Sequence, residues 1–272
     1  MTMHPWYRLL AAVFAIMLAS VPTLAATCGN DGAGFAAWLA AFQREAVAQG
    51  LPPRAADALD GLSYDRSVVS LDRRQGATFK QSFEQFAGTR VTQPRIQRGR
   101  QLLRQHAALL GRIEKQYGVP PPVVVAIWGL ETDFGANMGK HNALRALATL
   151  AYDCRRSEFF TRELLDALRI VERGDIGVDD MRGAWAGELG QTQFLPSSYV
   201  KFAVDFDGNG RRDLIRSTAD VLASTANYLR GYGWRAGAGW SEGEPNHAVL
   251  REWNRSQVYA KTIALFATRL AE

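Results

Sequence analysis

The chain has 272 residues, of which 47% are hydrophobic and 22% charged, with two cysteines and a formal net charge of +5. This composition excludes a disordered, collagenous or coiled-coil chain, and the length allows one large core or two small ones. The basic excess is scattered among acids through most of the chain, without a dense Lys/Arg tract. That argues against a duplex nucleic-acid binder and fits an anionic polymer or plain solubility.

Residues 1–26 carry Arg8, then an apolar run from Leu9 to Ala19 that Pro22 breaks, then Thr23-Leu24-Ala25. The run is too short to span a bilayer comfortably and ends in a cleavage-like sequence, so it is read as a signal peptide. The mature chain is then 27–272, exported, with no membrane span and a net charge of +4 once Arg8 is removed. In an exported protein the pair Cys28 and Cys154 is read as a disulfide, with two free thiols as the alternative.

Helical spacing dominates the rest, and no strand run, internal repeat or linker stands out. Phe35, Trp38, Leu39, Phe42 and Ala46 form a stripe ended by Gly50 and Pro52. A second stripe from Ile96 to Ile113 opens at Thr92 and closes at Gly118. After Pro120-Pro121-Pro122, residues Val123 to Leu130 are apolar on nearly every side, as a central buried helix requires. Further helices are expected at Ser157–Glu172, Ser197–Phe202, Thr218–Tyr232 and Ser256–Leu270. The expectation is one mainly α-helical unit.

Three clusters carry chemistry. The first is Glu131, which ends the apolar helix in Gly129-Leu130-Glu131-Thr132-Asp133-Phe134-Gly135. A carboxyl against a low-dielectric wall has its charged form disfavoured, so it stays protonated near neutrality, as a general acid for a glycosidic oxygen must. The alternative is a Glu that ends a helix and faces water. The second is Ala184 to Tyr199. Gly187 and Gly190 would let a ligand approach the backbone, Gln191 and Gln193 offer amides to a sugar, and Trp185 and Phe194 offer apolar faces. A tight turn before a helix explains the same residues. The third begins at Asp205 and follows an EF-hand loop: Asp205, Asp207 and Asn209 at positions 1, 3 and 5, Gly210 at 6, Arg211 at the backbone-carbonyl position and Asp213 at 9. Arg216 stands where the closing Glu belongs, so Asp220 would close a lengthened loop around structural Ca²⁺. A metal-free Asx turn is the alternative.

In this order the clusters resemble the membrane-bound lytic murein transglycosylase B family from about Tyr117 to Trp234, with an echo at Trp253-Asn254-Arg255-Ser256. The matching residues are Glu131-Thr132 with Gly135; Ala186-Gly187, Gly190, Gln193-Phe194 and Pro196-Ser197-Ser198; Ala203 to Phe206 with Gly208 and Gly210; and Ala226-Asn227-Tyr228 with Gly233-Trp234. The resemblance implies a lysozyme-like α-helical catalytic domain (about 92–272) with additional helical lobes, preceded by a helical segment (27–91). It implies a periplasmic enzyme, without organic cofactor, that cleaves the glycan strands of peptidoglycan to 1,6-anhydromuramyl products, with Glu131 as acid and then base. A monomer is expected. Gln193, Tyr228 and Asn254 match positions that contact the sugar or the catalytic carboxyl. The chain departs from the family at Ala184, where Ser is frequent; at Glu188, where a small residue is; and at Trp253, where a Tyr is. Glu188 is therefore open as a second acid, an arginine partner or a selector of peptide stems, and Trp253 keeps a stacking face. Glu188 or Asp133 activating water would make the enzyme a hydrolase instead.

Overall fold

The computed structural model describes residues 27–75 and 81–272, so the segment read as a signal peptide lies outside the described residues. The first stripe forms α1 (Phe35–Ala48), which buries the five residues of that stripe and stacks Trp38 on Phe42 at 5.3 Å. Three short helices follow that no apolar stripe announces: α2 (Pro53–Ala56), α3 (Arg66–Arg74) and α4 (Phe83–Arg90). Side-chain caps define two of them. Asp65 accepts from the backbone of Ser67 and Val68 before α3, and Ser82 and Gln85 form a reciprocal capping box on α4.

The second stripe is two helices rather than one, α5 (Gln93–Gln105) and α6 (Ala107–Tyr117). The break is His106, whose backbone leaves the helical region (φ −105°, ψ 19°) and whose ring meets Trp128 edge-on. Ile96, Leu102, Leu110 and Ile113 are buried on both sides of it, so the stripe runs across the break without marking it.

The apolar run forms α7 (Pro121–Thr132), in which every residue from Val123 to Gly129 is buried. A second largely buried helix, α8 (Ala143–Tyr152), buries all its residues except Arg145. The sequence reading left it unassigned. The remaining helices lie close to their expected bounds: α9 (Ser157–Glu172), α10 (Pro196–Phe202), α11 (Thr218–Gly231) and α13 (Gln257–Ala271), with α12 (His247–Trp253) unannounced. One two-residue antiparallel pair, β1 (His141–Asn142) with β2 (Arg182–Gly183), closes the region after α7.

Helices α5, α6, α11 and α13 pack around α7, while α8 pairs with α9 and α10 lies on α9. The N-terminal helices α1 to α3 pack on α8 and α9, and a continuous apolar cluster runs from Phe35 to Leu270. The fold is mainly α-helical.

The pair Cys28–Cys154, 126 residues apart, is a disulfide. It is reinforced where the Gly29 N–H donates to the Tyr152 carbonyl at 2.9 Å. Close by, Arg73 pairs with Asp153 at 2.7 Å, and the buried Asp72 accepts from Arg155 and Arg156. Together these strap the N-terminal segment to the turn between α8 and α9. Closing so long a loop is worth about 4–5 kcal/mol on the chain-entropy model. Reduction, or the Cys28→Ser/Cys154→Ser pair, is expected to lower unfolding free energy by about that amount in denaturant titrations.

Candidate active site

Helix α7 ends where the candidate acid stands. Asp133 and Phe134 turn into the left-handed region (φ 54° and 59°), followed by Gly135 at φ 87°. The turn is pinned through Thr132, whose hydroxyl donates to the Gln191 carbonyl at 2.5 Å and accepts from the Gly135 N–H at 2.9 Å. One turn earlier, the Trp128 indole N–H donates to Gln191 Oε1 at 2.8 Å, and Gln191 Nε2 donates to the Ile215 carbonyl. The first and second clusters are thus locked together by Gln191.

Glu131 projects half-buried into a groove of about 770 Å³ lined by Arg156, Glu163, Glu188, Gln193, Phe194, Tyr228, Trp253 and Asn254, among others. Its Oε1 accepts two hydrogen bonds, from the Trp253 indole N–H at 2.7 Å and the Tyr259 hydroxyl at 2.9 Å. Burial pushes the carboxyl up to about 7, against the pull of these two donors and with a small further push from Glu188. Near neutral pH it therefore samples both protonation states.

The structure gathers most of the expected residues around this carboxyl, with different local duties. Trp253 was expected as a stacking face. Its ring meets Phe194 and Tyr228 at 5.4 and 4.8 Å, and its N–H is committed to Glu131. The Tyr228 hydroxyl donates to the Glu252 carbonyl at 2.7 Å, and Asn254 caps α12 while accepting from the Ser256 N–H. Gln193 sits at φ 53° and donates to the Met138 and Gly190 carbonyls, which leaves its Oε1 for the groove. Gln191 is not in the groove: it is buried, and both ends of its amide are engaged. The glycines also differ from expectation. The space a Cβ would need at Gly187 and Gly190 is filled by Leu147 and Leu214, so core packing and positive φ (86° and 73°) require them rather than a ligand's approach.

Glu188 lies in the groove with its Oε2 buried and unpartnered, and burial raises its pKa. It forms no ion pair with Arg156, which turns to Asp72. Asp133 is exposed, pairs with Arg95 at 3.0 Å and lines a different cavity. Several residues around the carboxyl escaped the sequence reading, among them Tyr259, Arg156 and Glu163. Tyr259 looked like one more aromatic on an amphipathic helix. Arg156 sat in a polar turn, and Glu163, which accepts from Ser197 N and Oγ, lay inside a helix stripe.

In the third cluster, Asp205, Asp207 and Asp220 bring carboxylate oxygens within 4.8 Å of one another. Asp220 closes the loop from the start of α11, accepting from the N–H groups of Phe206, Asp207 and Asp213. Asp213 turns to the Ile215 and Arg216 N–H groups, Asn209 Oδ1 accepts from the Arg211 N–H, and Arg216 pairs with Asp180. Three hard oxygen donors converging on one point suit a cation of the calcium type.

The transglycosylase SLT domain family matches residues 34–244. The chain belongs to that family. It is 39% identical over 148 residues to membrane-bound lytic murein transglycosylase B of Escherichia coli, a match that covers 54% of this chain and 41% of that protein. Among solved structures, SltB3 of Pseudomonas aeruginosa in complex with NAG-NAM-pentapeptide superposes with a TM-score of 0.83 at 33% identity, covering 88% of this chain and 80% of the other. The Escherichia coli lytic transglycosylase Slt35 in complex with calcium superposes with a TM-score of 0.77 at 25% identity, covering 92% and 98%. Family members thus share this helical frame.

The two donors on Glu131 favour its ionised form, so removing one raises its pKa further. Tyr259→Phe is expected to move the titration of the Glu131 carboxyl upward from about 7 by roughly 0.5–1 pH unit, followed by carboxyl-labelled NMR.

Proposed function

We propose that the protein is a lytic transglycosylase that cleaves the β-1,4 bond between N-acetylmuramic acid and N-acetylglucosamine in peptidoglycan without consuming water. The observation that carries this reading is the half-buried carboxyl of Glu131, raised to about 7 by burial against the pull of two donors, inside a saccharide-sized groove. Protonated Glu131 gives its proton to the glycosidic oxygen as the bond to the anomeric carbon breaks. The muramyl N-acetyl oxygen assists at that carbon, so no protein nucleophile is needed. Ionised Glu131 then takes the proton of the C6 hydroxyl as its oxygen bonds to the anomeric carbon. The product is a 1,6-anhydro ring, and the acid is restored.

The surroundings support this division of labour. Trp253 and Tyr259 steady the carboxylate between the two steps, while Gln193 Oε1, Asn254 and the Tyr228–Trp253 faces address the sugars. Glu188 is poorly suited to act as the water-activating base of a hydrolase, since burial holds it toward its neutral form. Asp133 faces another cavity. Among the described residues no helix is long and apolar enough to cross a membrane, and the disulfide fits an oxidising compartment. We read the protein as exported to the periplasm, acting there as a monomer on glycan strands.

The relative Slt35 was crystallised with calcium, and Asp205, Asp207 and Asp220 would hold the ion here, with no organic cofactor required. The ion would supply structural charge at the foot of α11, the helix that carries Tyr228. Saturating calcium at about a hundredfold excess over Kd is expected to raise Tm by about 5–10 °C. Asp205→Ala should abolish the shift, and equal melting curves with calcium and with chelator would remove the metal.

Digestion of purified peptidoglycan by the mature protein should release fragments lighter by one water than the reducing forms, seen by mass spectrometry. Glu131→Gln should release none while keeping its melting curve. Because the first step needs the protonated acid, kcat/KM should fall as pH rises through about 7. Hydrated ends would instead identify a hydrolase.

A further inference from the structure

The basic excess of this chain has one concentrated region. Between Glu84 and Glu114 the sequence carries six arginines and no carboxylate, spanning the end of α4, all of α5 and most of α6. Three of them have local duties: Arg90 covers the Phe86 ring, Arg100 donates to the Arg269 carbonyl, and Arg112 covers the Phe206 ring. Arg95 and Arg98, one turn apart on α5, line a second cavity of about 640 Å³ with Thr92, Pro94 and the segment Asp133 to Ala136.

This cavity is separate from the groove, since Glu131 and Trp253 do not line it, yet it begins two residues past the acid. Its electrostatic reach includes the site, because the charges of Arg90 and Arg95 both act on the Tyr259 hydroxyl that donates to Glu131. Arg95 is half neutralised, holding Asp133 Oδ1 at 3.0 Å and the Arg90 carbonyl at 2.7 Å. Arg98 is exposed and donates to Gln101 Oε1 at 3.0 Å, with no acidic partner among the described residues. The one aromatic of the lining, Phe134, packs edge-to-face on Trp128 at 5.7 Å. The cavity therefore offers guanidinium donors rather than a stacking face, which suits a carboxylate and not a sugar ring.

A strand cleaved at Glu131 must run past the acid in both directions, and every muramyl unit carries a peptide stem with free carboxylates. We propose that the second cavity binds a stem carboxylate of the strand, with Arg98 as its principal contact and Arg95 as the second. The inference rests on the peptidoglycan reading above and adds a charge-reading site to it.

The test is a binding titration of the mature protein with three disaccharide probes: one with its peptide stem, one with the stem carboxylates amidated, and one with the stem removed. Wild type is expected to bind the first about fivefold more tightly than the other two. Arg98→Glu should bring that ratio to about one, and Arg98→Lys should keep part of it. Arg98 is exposed, so equal melting curves are expected for all three proteins. An unchanged ratio in Arg98→Glu would overturn the proposal. So would equal wild-type affinity for the intact and amidated stems, because the contact would then not read charge. Failure of the catalytic reading is separable. A protein that showed the Arg98-dependent ratio but released no anhydro ends would keep this site and lose the activity.

Discussion

A carboxyl group at the end of a helix buried on all sides is held between two opposed demands. Burial drives Glu131 toward its neutral form, while the Trp253 and Tyr259 donors favour the charged one, and burial prevails with the group left near 7. That net shift from an ordinary 4.5 corresponds to roughly 3 kcal/mol between the two protonation states. Much of the surrounding architecture serves this balance. Helices α5, α6, α11 and α13 enclose α7, which makes the wall dry, and α12 and α13 deliver the two donors. The donors come from residues 122 and 128 positions away, so the acid is tuned only after the C-terminal helices have docked.

The other end of the constraint is rotational, because a helix that ends in a catalytic group must not turn about its axis. Gln191 prevents it through contacts at Trp128 and Thr132, and its other amide end on Ile215 links the clamp to the segment leading into α11. Gly187 and Gly190 let that segment approach Leu147 and Leu214 closely enough to make the clamp. Removal of side chains at two positions is thus what brings the second cluster onto the first. The disulfide and the Asp205–Asp220 loop hold more distant parts of the same frame.

Much of this was legible in the sequence, and the parts that were not have physical reasons. The stripe of α1 and the all-round apolarity of α7 are local signals, the pair Cys28–Cys154 follows from there being only two cysteines, and the structure carries each as read. The break at His106 was invisible because the apolar stripe crosses it, and α8 was passed over although all its residues except Arg145 are buried. In the groove, Glu131 was legible from what precedes it in the chain. Tyr259 was not, since its role depends on which side of α13 meets α7. Gln191 was read as a ligand contact because an amide near glycines looks the same in sequence whether it faces a sugar or a buried indole.

Three of the groove's glutamates, Glu131, Glu163 and Glu188, are buried or half-buried and would, on the proposed function, meet a polymer whose stems carry carboxylates. Three ionised side chains at that density would repel such a strand and one another. Burial raises the pKa of all three, so the groove presents carboxyls shifted toward their neutral, hydrogen-bonding form. Besides Arg156 and Arg255, which line the groove, positive charge gathers on the acid-free α5 face and its cavity. Keeping that charge off the Glu131 carboxyl makes chemical sense. A cation held against Glu131 would stabilise its ionised form and remove the acid, whereas the α5 cations, one loop away, attract the strand and act on the acid only through the Tyr259 hydroxyl.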